Sequence, residues 1–327
     1  MTDAEKRNDL EENDQKRNDP KQKAAREGPA LAVRTCGLTR RFGELTAVDS
    51  LDLEVPEGSL FGLLGPNGAG KTTTIRMLLG LLAPTAGTVE ILGGPVGTER
   101  LARVGYVSEE RGLYGYMTVE EIIGFTRRFY PTWDDRAVKD YLDLFRLPRR
   151  TRVADLSHGM RSLLALTLAL GPRPDLLILD EPTAGLDPVM RREFLSMLVR
   201  EMAGTPRTLI FSSHILNEVE RIADTVAIIK GGRLVVTRSV EDMRTNEKKV
   251  RFVPQRRMEP EEFEGPGVRR VEREGSGFIL TVTDDLDGVL ARLSRLPHFV
   301  LEVIDLNLEE VFFDYVEEGE GAHDDRG

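Results

Sequence analysis

Eight consecutive residues, Gly65-Pro66-Asn67-Gly68-Ala69-Gly70-Lys71-Thr72, restrict this chain more than any other stretch of it. They satisfy a glycine-rich phosphate-loop pattern at every fixed position. They stand between an apolar run, Leu60-Phe61-Gly62-Leu63-Leu64, and a helical pattern over residues 72–82 that Pro84 closes. Such a loop works as a junction. The strand delivers the backbone, and glycines let successive N–H groups turn inward around phosphate oxygens with no Cβ in the way. The helix that follows adds the partial positive charge of its N-terminus. Lys71 is expected to reach the β- and γ-phosphates of a nucleotide. Thr72, with Thr73 beside it, is expected to offer its hydroxyl to Mg²⁺.

Downstream, Leu176-Leu177-Ile178-Leu179-Asp180-Glu181 reads as a buried strand that ends in two carboxylates. The C-terminal end of a strand is where open α/β sheets bind ligands. Asp180 suits the Mg²⁺ side, acting through coordinated water, and Glu181 suits the general base for an attacking water. By itself an apolar run ending in Asp-Glu reads equally well as a strand leaving a core; the phosphate loop decides between the two.

Strand and helix patterns alternate from residue 31 to about 242, so a mostly parallel sheet covered by helices is expected. Strand candidates lie at 31–33, 48–55, 60–64, 88–92, 103–107, 176–179, 208–212 and 225–229. Helical patterns cover 157–169, 188–202 and 216–223, and a helical insert occupies about 115–170. The expected division is a disordered charged tail at 1–28, a large domain carrying the phosphate loop at 29–242, a small α+β domain at 243–317 and a disordered tail at 318–327. In the small domain, 278–282 and 300–304 read as strands and 289–296 and 308–316 as helices, while 246–257 reads only as a basic stretch.

A length of 327 residues accommodates one large domain and an appendage. The net charge of -10 argues against a direct grip on nucleic acid, which needs clustered Lys and Arg. Cys36 is the single cysteine, which excludes an intrachain disulfide, and four scattered histidines do not make a zinc cluster. The longest apolar stretch, residues 163–170, falls far short of the roughly 20 residues of a membrane span. The polar N-terminus carries no secretory pattern. The expectation is a soluble chain that meets any membrane through a partner.

Over residues 31–238 the chain resembles the nucleotide-binding subunits of ABC transporters, with motifs in that family's order. Leu156-Ser157-His158-Gly159-Met160 stands at the signature motif, and Ala184-Gly185-Leu186-Asp187 at the D-loop. His214 stands at the switch histidine. Phe42 matches the aromatic that stacks on adenine, although a core phenylalanine is an alternative reading of that position. The segment Leu308-Glu309-Glu310-Val311-Phe312 is similar to the C-terminal module of drug-exporter ATPases.

The resemblance implies an α/β fold: a P-loop NTPase core of the ABC ATPase type, a helical subdomain and a small C-terminal α+β domain. It implies Mg²⁺-dependent hydrolysis of ATP, with Glu181, His214 and Lys71 as catalytic groups. Two nucleotide-binding subunits, as a homodimer, would stack head to tail. ATP at Lys71 of one copy would be closed over by Ser157 and Gly159 of the other, with Asp187 relaying between the sites. Integral-membrane subunits would hold the chain at the inner face of the cell membrane.

Three departures stand out. His158 and Met160 replace the usual third and fifth signature residues. Glu109 stands where the family places a glutamine that senses Mg²⁺. Phe129-Tyr130-Pro131-Thr132-Trp133-Asp134 resembles the ABC-2 exporter subgroup, and its aromatics read equally as a partner contact or as local core. Two rival functions are weaker. A soluble ABC ATPase acting on nucleic acid or the ribosome usually carries two nucleotide domains or a long coiled coil, and neither is seen here. A non-transport regulatory or assembly module that binds ATP without turning it over would not need Glu181 and His214.

Overall fold

The computed structural model describes residues 30–110 and 112–321. The tail expected to be disordered at 1–28 lies outside the described residues. So do residues 322–327 of the second tail, whereas 318–321 continue the last helix.

The chain opens with β1 (Leu31–Phe42), β2 (Leu45–Leu51) and β3 (Glu54–Pro56), then enters β4 (Leu60–Leu64) and α1 (Lys71–Leu78). β5 (Ala86–Ile91) and β6 (Gly94–Pro95) return to β1, which makes an antiparallel sheet in the order β2-β1-β5-β6, with β3 also on β1. The stretch 48–55, expected as one strand, divides because its halves pair with opposite ends of the long β1. Leu45–Leu51 lies along Leu38–Phe42, and Glu54–Pro56 along Leu31–Arg34. At the break the Gly37 N–H donates to Asp52 Oδ1 at 2.6 Å. This separate antiparallel layer was not foreseen, since alternating apolar residues report a buried face and not a strand's direction.

After α2 (Thr98–Leu101) and β7 (Val104–Val107) comes the helical insert, α3 (Val119–Arg127), α4 (Asp135–Leu144) and α5 (His158–Leu170). Thr118 and Glu121 form a reciprocal capping box on α3, and Asp134 caps α4. The chain then runs β8 (Leu176–Asp180), α6 (Pro188–Met202), β9 (Thr208–Ser213), α7 (Leu216–Ile222), β10 (Thr225–Lys230) and β11 (Arg233–Ser239). These complete a six-stranded sheet in the order β11-β10-β4-β9-β8-β7, parallel throughout except at the β10–β11 edge. β8 and β9 are buried along their whole length. They therefore read as unbroken apolar runs, as strands covered on both faces do.

The remaining elements are α8 (Val240–Asn246), β12 (Lys248–Pro254), β13 (Val268–Glu274), β14 (Gly277–Val282), α9 (Leu286–Leu293), β15 (His298–Asp305) and α10 (Leu308–Gly321). Four of them form an antiparallel sheet, β13-β14-β12-β15, over a core of its own around Val250, Phe252, Phe263, Phe278, Leu280 and Val289. β12 is the strand concealed in the basic stretch: Val250 and Phe252 point inward while Arg251 faces solvent. α10 leaves this small core. Its Val311, Phe312 and Tyr315 join the core of the large domain, alongside residues of α7 and β10.

A buried ionic cluster lies at that crossing. The Tyr315 hydroxyl donates to Glu247 Oε1 at 2.8 Å, the Arg269 guanidinium stacks over the Tyr315 ring at 4.0 Å, and Lys249 pairs with Asp314 at 3.0 Å. Burial pushes the Glu247 carboxyl above the usual carboxylate range, although Tyr315 and Arg269 pull the other way. The folded chain thus holds this proton at pH values where the unfolded chain releases it. Stability is lost as pH rises from the ordinary value to the raised one. Glu247→Gln should remove that slope: the gap in thermal midpoint between variant and parent, followed by circular dichroism, should widen in the variant's favour as pH rises. A gap that narrows over the same range would contradict the assignment.

Candidate functional site

The phosphate loop joins the C-terminal end of β4 to α1. Gly70 caps α1 at φ 104, and a Cβ there would stand 2.5 Å from the Ala47 carbonyl oxygen, so only glycine fits. No side chain caps α1. Its leading N–H groups are therefore available to an anion in the loop. Lys71 begins the helix and is 6% exposed. Its ammonium donates to the carbonyls of Gly65 at 2.7 Å and Pro66 at 3.3 Å, and lies 3.4 Å from Glu181 Oε1.

Parallel pairing of β8 with β9 sets Asp180 beside Ser212. The Ser212 hydroxyl donates to Asp180 Oδ1 at 2.7 Å and accepts the Glu181 N–H at 2.9 Å, so one side chain orients both acids. The Thr72 hydroxyl also donates to Asp180 Oδ1, at 3.2 Å. Asp180 Oδ2 is buried with no protein partner. A hydroxyl and a free carboxylate oxygen at the foot of a phosphate loop are a donor set that suits Mg²⁺ and its water. Close by on β7, burial pushes the Tyr106 phenol up to about 12, and the charge of Asp180 adds to the effect.

Glu181 takes a left-handed backbone conformation, φ 45, which is uncommon for a residue with a side chain. Its carboxylate is held between Lys71 and His214, whose Nδ1 lies 2.9 Å from Glu181 Oε2. Phe42, Asn67, Lys71, Thr72, Thr73, Glu109, Glu181 and His214 are among the residues lining a cleft of about 550 Å³. Phe42 is 45% exposed at this cleft, with the Arg40 guanidinium 4.5 Å over its ring, so the alternative of a core phenylalanine does not hold. A wider groove of about 1000 Å³ along α6 brings together neither the loop nor the carboxylate pair.

Ser157, Gly159 and Asp187 do not line this cleft. Ser157 is exposed and caps α5, accepting the Met160 N–H at 3.2 Å. Asp187 is exposed and caps α6, accepting the N–H groups of Val189 at 2.9 Å and Met190 at 3.0 Å. Gly159 lies against Met190 and Leu186. His158 packs against Gly185, and with Glu109 and Glu110 they line a second cleft of about 370 Å³ that shares Glu109 with the first. Ser212 escaped the sequence reading of the site. Its one sequence signal is a hydroxyl at the end of a strand, and its meaning appears only once the register with Asp180 is known.

Comparison with known proteins bears on this site. A family model described as ABC transporter matches residues 48–184. The chain is 36% identical over 300 residues to the Nod factor export ATP-binding protein I of Neorhizobium galegae, covering 88% of this chain and 86% of that protein. It is 40% identical over 209 residues to the bacitracin transport ATP-binding protein BcrA of Bacillus licheniformis, covering 62% of this chain and 68% of that one. Among solved structures, an ATP-binding subunit of an ABC transporter superposes with a TM-score of 0.60 at 29% identity, over 66% of this chain and 92% of that one. A dimeric ATP-binding cassette holding ADP and Pi shares the fold, with a TM-score of 0.57 at 20% identity over 64% of this chain and 98% of that one. Among the described residues no helix is long and apolar enough to cross a membrane.

Proposed function

Since the chain belongs to the family of ABC transporter ATP-binding subunits, and is thus a Mg²⁺-dependent ATPase, we propose that it is the motor of an ABC-2-like exporter and drives separate membrane subunits. The observation that carries the catalytic part of this reading is the placement of the Glu181 carboxylate. It lies within 3.4 Å of the Lys71 ammonium and 2.9 Å of the His214 ring, beside the phosphate loop. Glu181 would accept the proton of a water attacking the γ-phosphorus in line, and His214 would orient that water. Lys71 and the loop amides would offset charge on the β- and γ-phosphates. The Thr72 hydroxyl and the Asp180 carboxylate, fixed by Ser212, would hold Mg²⁺. When bound, the metal supplies neutralising charge to the phosphate oxygens. Phe42 would stack on the adenine.

Ser157 and Asp187 are exposed helix caps that serve nothing in their own cleft, an arrangement suited to a second copy. In a head-to-tail homodimer the Ser157 hydroxyl and the Gly159 region would close over the opposite γ-phosphate, and Asp187 would connect the two sites. The fold neighbour solved as a dimer supports this assembly.

The membrane partner would meet the helical insert. Tyr116 is 70% and Phe129 68% exposed there, and Tyr114, Phe125 and Phe129 form a contiguous edge-to-face cluster. Trp133, by contrast, is partly buried and packs on Gly171 as local core. The names of the relatives, Nod factor export and bacitracin transport, favour an exporter, and the chain would sit at the inner face of the membrane without touching nucleic acid. Tagged chain recovered from detergent-solubilised membranes should bring down a polytopic subunit, and Tyr116→Ala with Phe129→Ala should release it. Recovery with ribosomes or nucleic acid instead would overturn the transport reading.

A further inference from the structure

Glu218 lies on α7, four residues past His214, and its side chain is 4% exposed. A carboxylate at that depth is tolerated only where partners compensate it, and here two hydroxyls donate to it and one guanidinium pairs with its charge. The Thr183 hydroxyl donates to Oε2 at 2.6 Å and the Ser213 hydroxyl at 3.2 Å, while Arg191 Nε lies 3.0 Å from Oε1. Each of the three partners belongs to a different working segment. Thr183 follows Glu181 by two residues, and Ser213 immediately precedes His214. Arg191 stands one turn past Asp187, where its guanidinium also donates to the Leu186 carbonyl at 3.3 Å.

We propose that Glu218 is a positioning residue that holds Glu181 and His214 in register and ties their spacing to the Asp187 segment. It touches no nucleotide itself. Glu181 needs such support, because its left-handed backbone persists only where the surroundings over-determine it. Thr183 fixes the chain just beyond that residue, and Ser213 fixes the chain just before its partner histidine; both end on one oxygen of one carboxylate. Through Arg191, a shift of the Asp187 segment by a second copy would reach the position of the attacking water. The inference rests on the roles given above to Glu181 and His214.

The test uses the full-length chain with Glu218→Gln, Thr183→Val and Thr183→Ser. Glu218→Gln keeps the volume but turns an acceptor into a donor facing donors, and Thr183→Val keeps the shape without the hydroxyl. Each should lower kcat roughly tenfold, since small misplacements of reacting groups are costly, while KM for ATP stays within about twofold. Thr183→Ser should restore the parent kcat, and the double variant should be no slower than Glu218→Gln alone. Parent kcat in either Glu218→Gln or Thr183→Val would overturn the inference. So would a Thr183→Ser chain as slow as Thr183→Val, or a KM that rises in step with the loss. If Glu218→Gln fails to fold, the Thr183 pair decides alone. Glu181→Gln measured alongside separates the two levels. An active Glu181→Gln chain would sink the underlying reading, whereas an inactive one beside a parent-like Thr183→Val chain would sink this inference only.

Discussion

Replacing Glu181 by glutamine should slow ATP turnover by about 10²- to 10⁴-fold, the usual contribution of a positioned general base, and leave nucleotide bound. The amide has the shape of the carboxylate, so contact with His214 and the fold of the β8 terminus survive, but it cannot take a proton from water. It also removes the negative charge that stands 3.4 Å from the Lys71 ammonium. Affinity for ATP should therefore hold or rise. If two copies close over ATP through Ser157, a chain that cannot hydrolyse should accumulate in the closed form. Size-exclusion chromatography with ATP and Mg²⁺ should then show a stable dimer that the parent forms only transiently. Turnover at the parent rate would remove Glu181 from the mechanism.

Lys71→Ala should produce the opposite separation. The side chain is buried, and its ammonium already bonds to two loop carbonyls, so it is aimed into the cleft at little further entropic cost. Loss of a charge-assisted contact to phosphate at such a site removes on the order of 3 kcal/mol, about 10²-fold in affinity. Titration calorimetry with ATP and Mg²⁺ should show binding weakened to that degree, and no nucleotide-dependent dimer should form at ATP concentrations that saturate the parent. Unchanged affinity in Lys71→Ala would remove the Lys71 ammonium from the phosphate contacts.

Features written contiguously in the chain were legible from it. The loop from Gly65 to Thr72 and the run ending in Asp180-Glu181 declare their chemistry within a few residues, because strand, turn and helix follow one another directly. Pro188–Met202 was legible for a similar reason, with an acidic cap and a proline marking its start. Features that depend on pairing between distant segments were not legible. Ser212 orients Asp180 only through the β8–β9 register, and Glu218 gains its meaning only when α7 packs beneath the Thr183 loop. β12 was hidden because Lys249 and Arg251 alternate with its core residues, so the eye reads charge before period. The helical pattern of 308–316 was plain, but no periodicity reveals which of two cores a helix will join.

That last helix has a consequence for how the protein is made. Val311, Phe312 and Tyr315 complete the interior of the large domain, although the whole small domain is translated before them. During synthesis the ATPase body therefore waits, with an uncovered apolar seam beside α7, until residues 311–315 have left the ribosome. A transcript truncated within the small domain would yield a chain that carries every catalytic group and still lacks the wedge that closes its own interior.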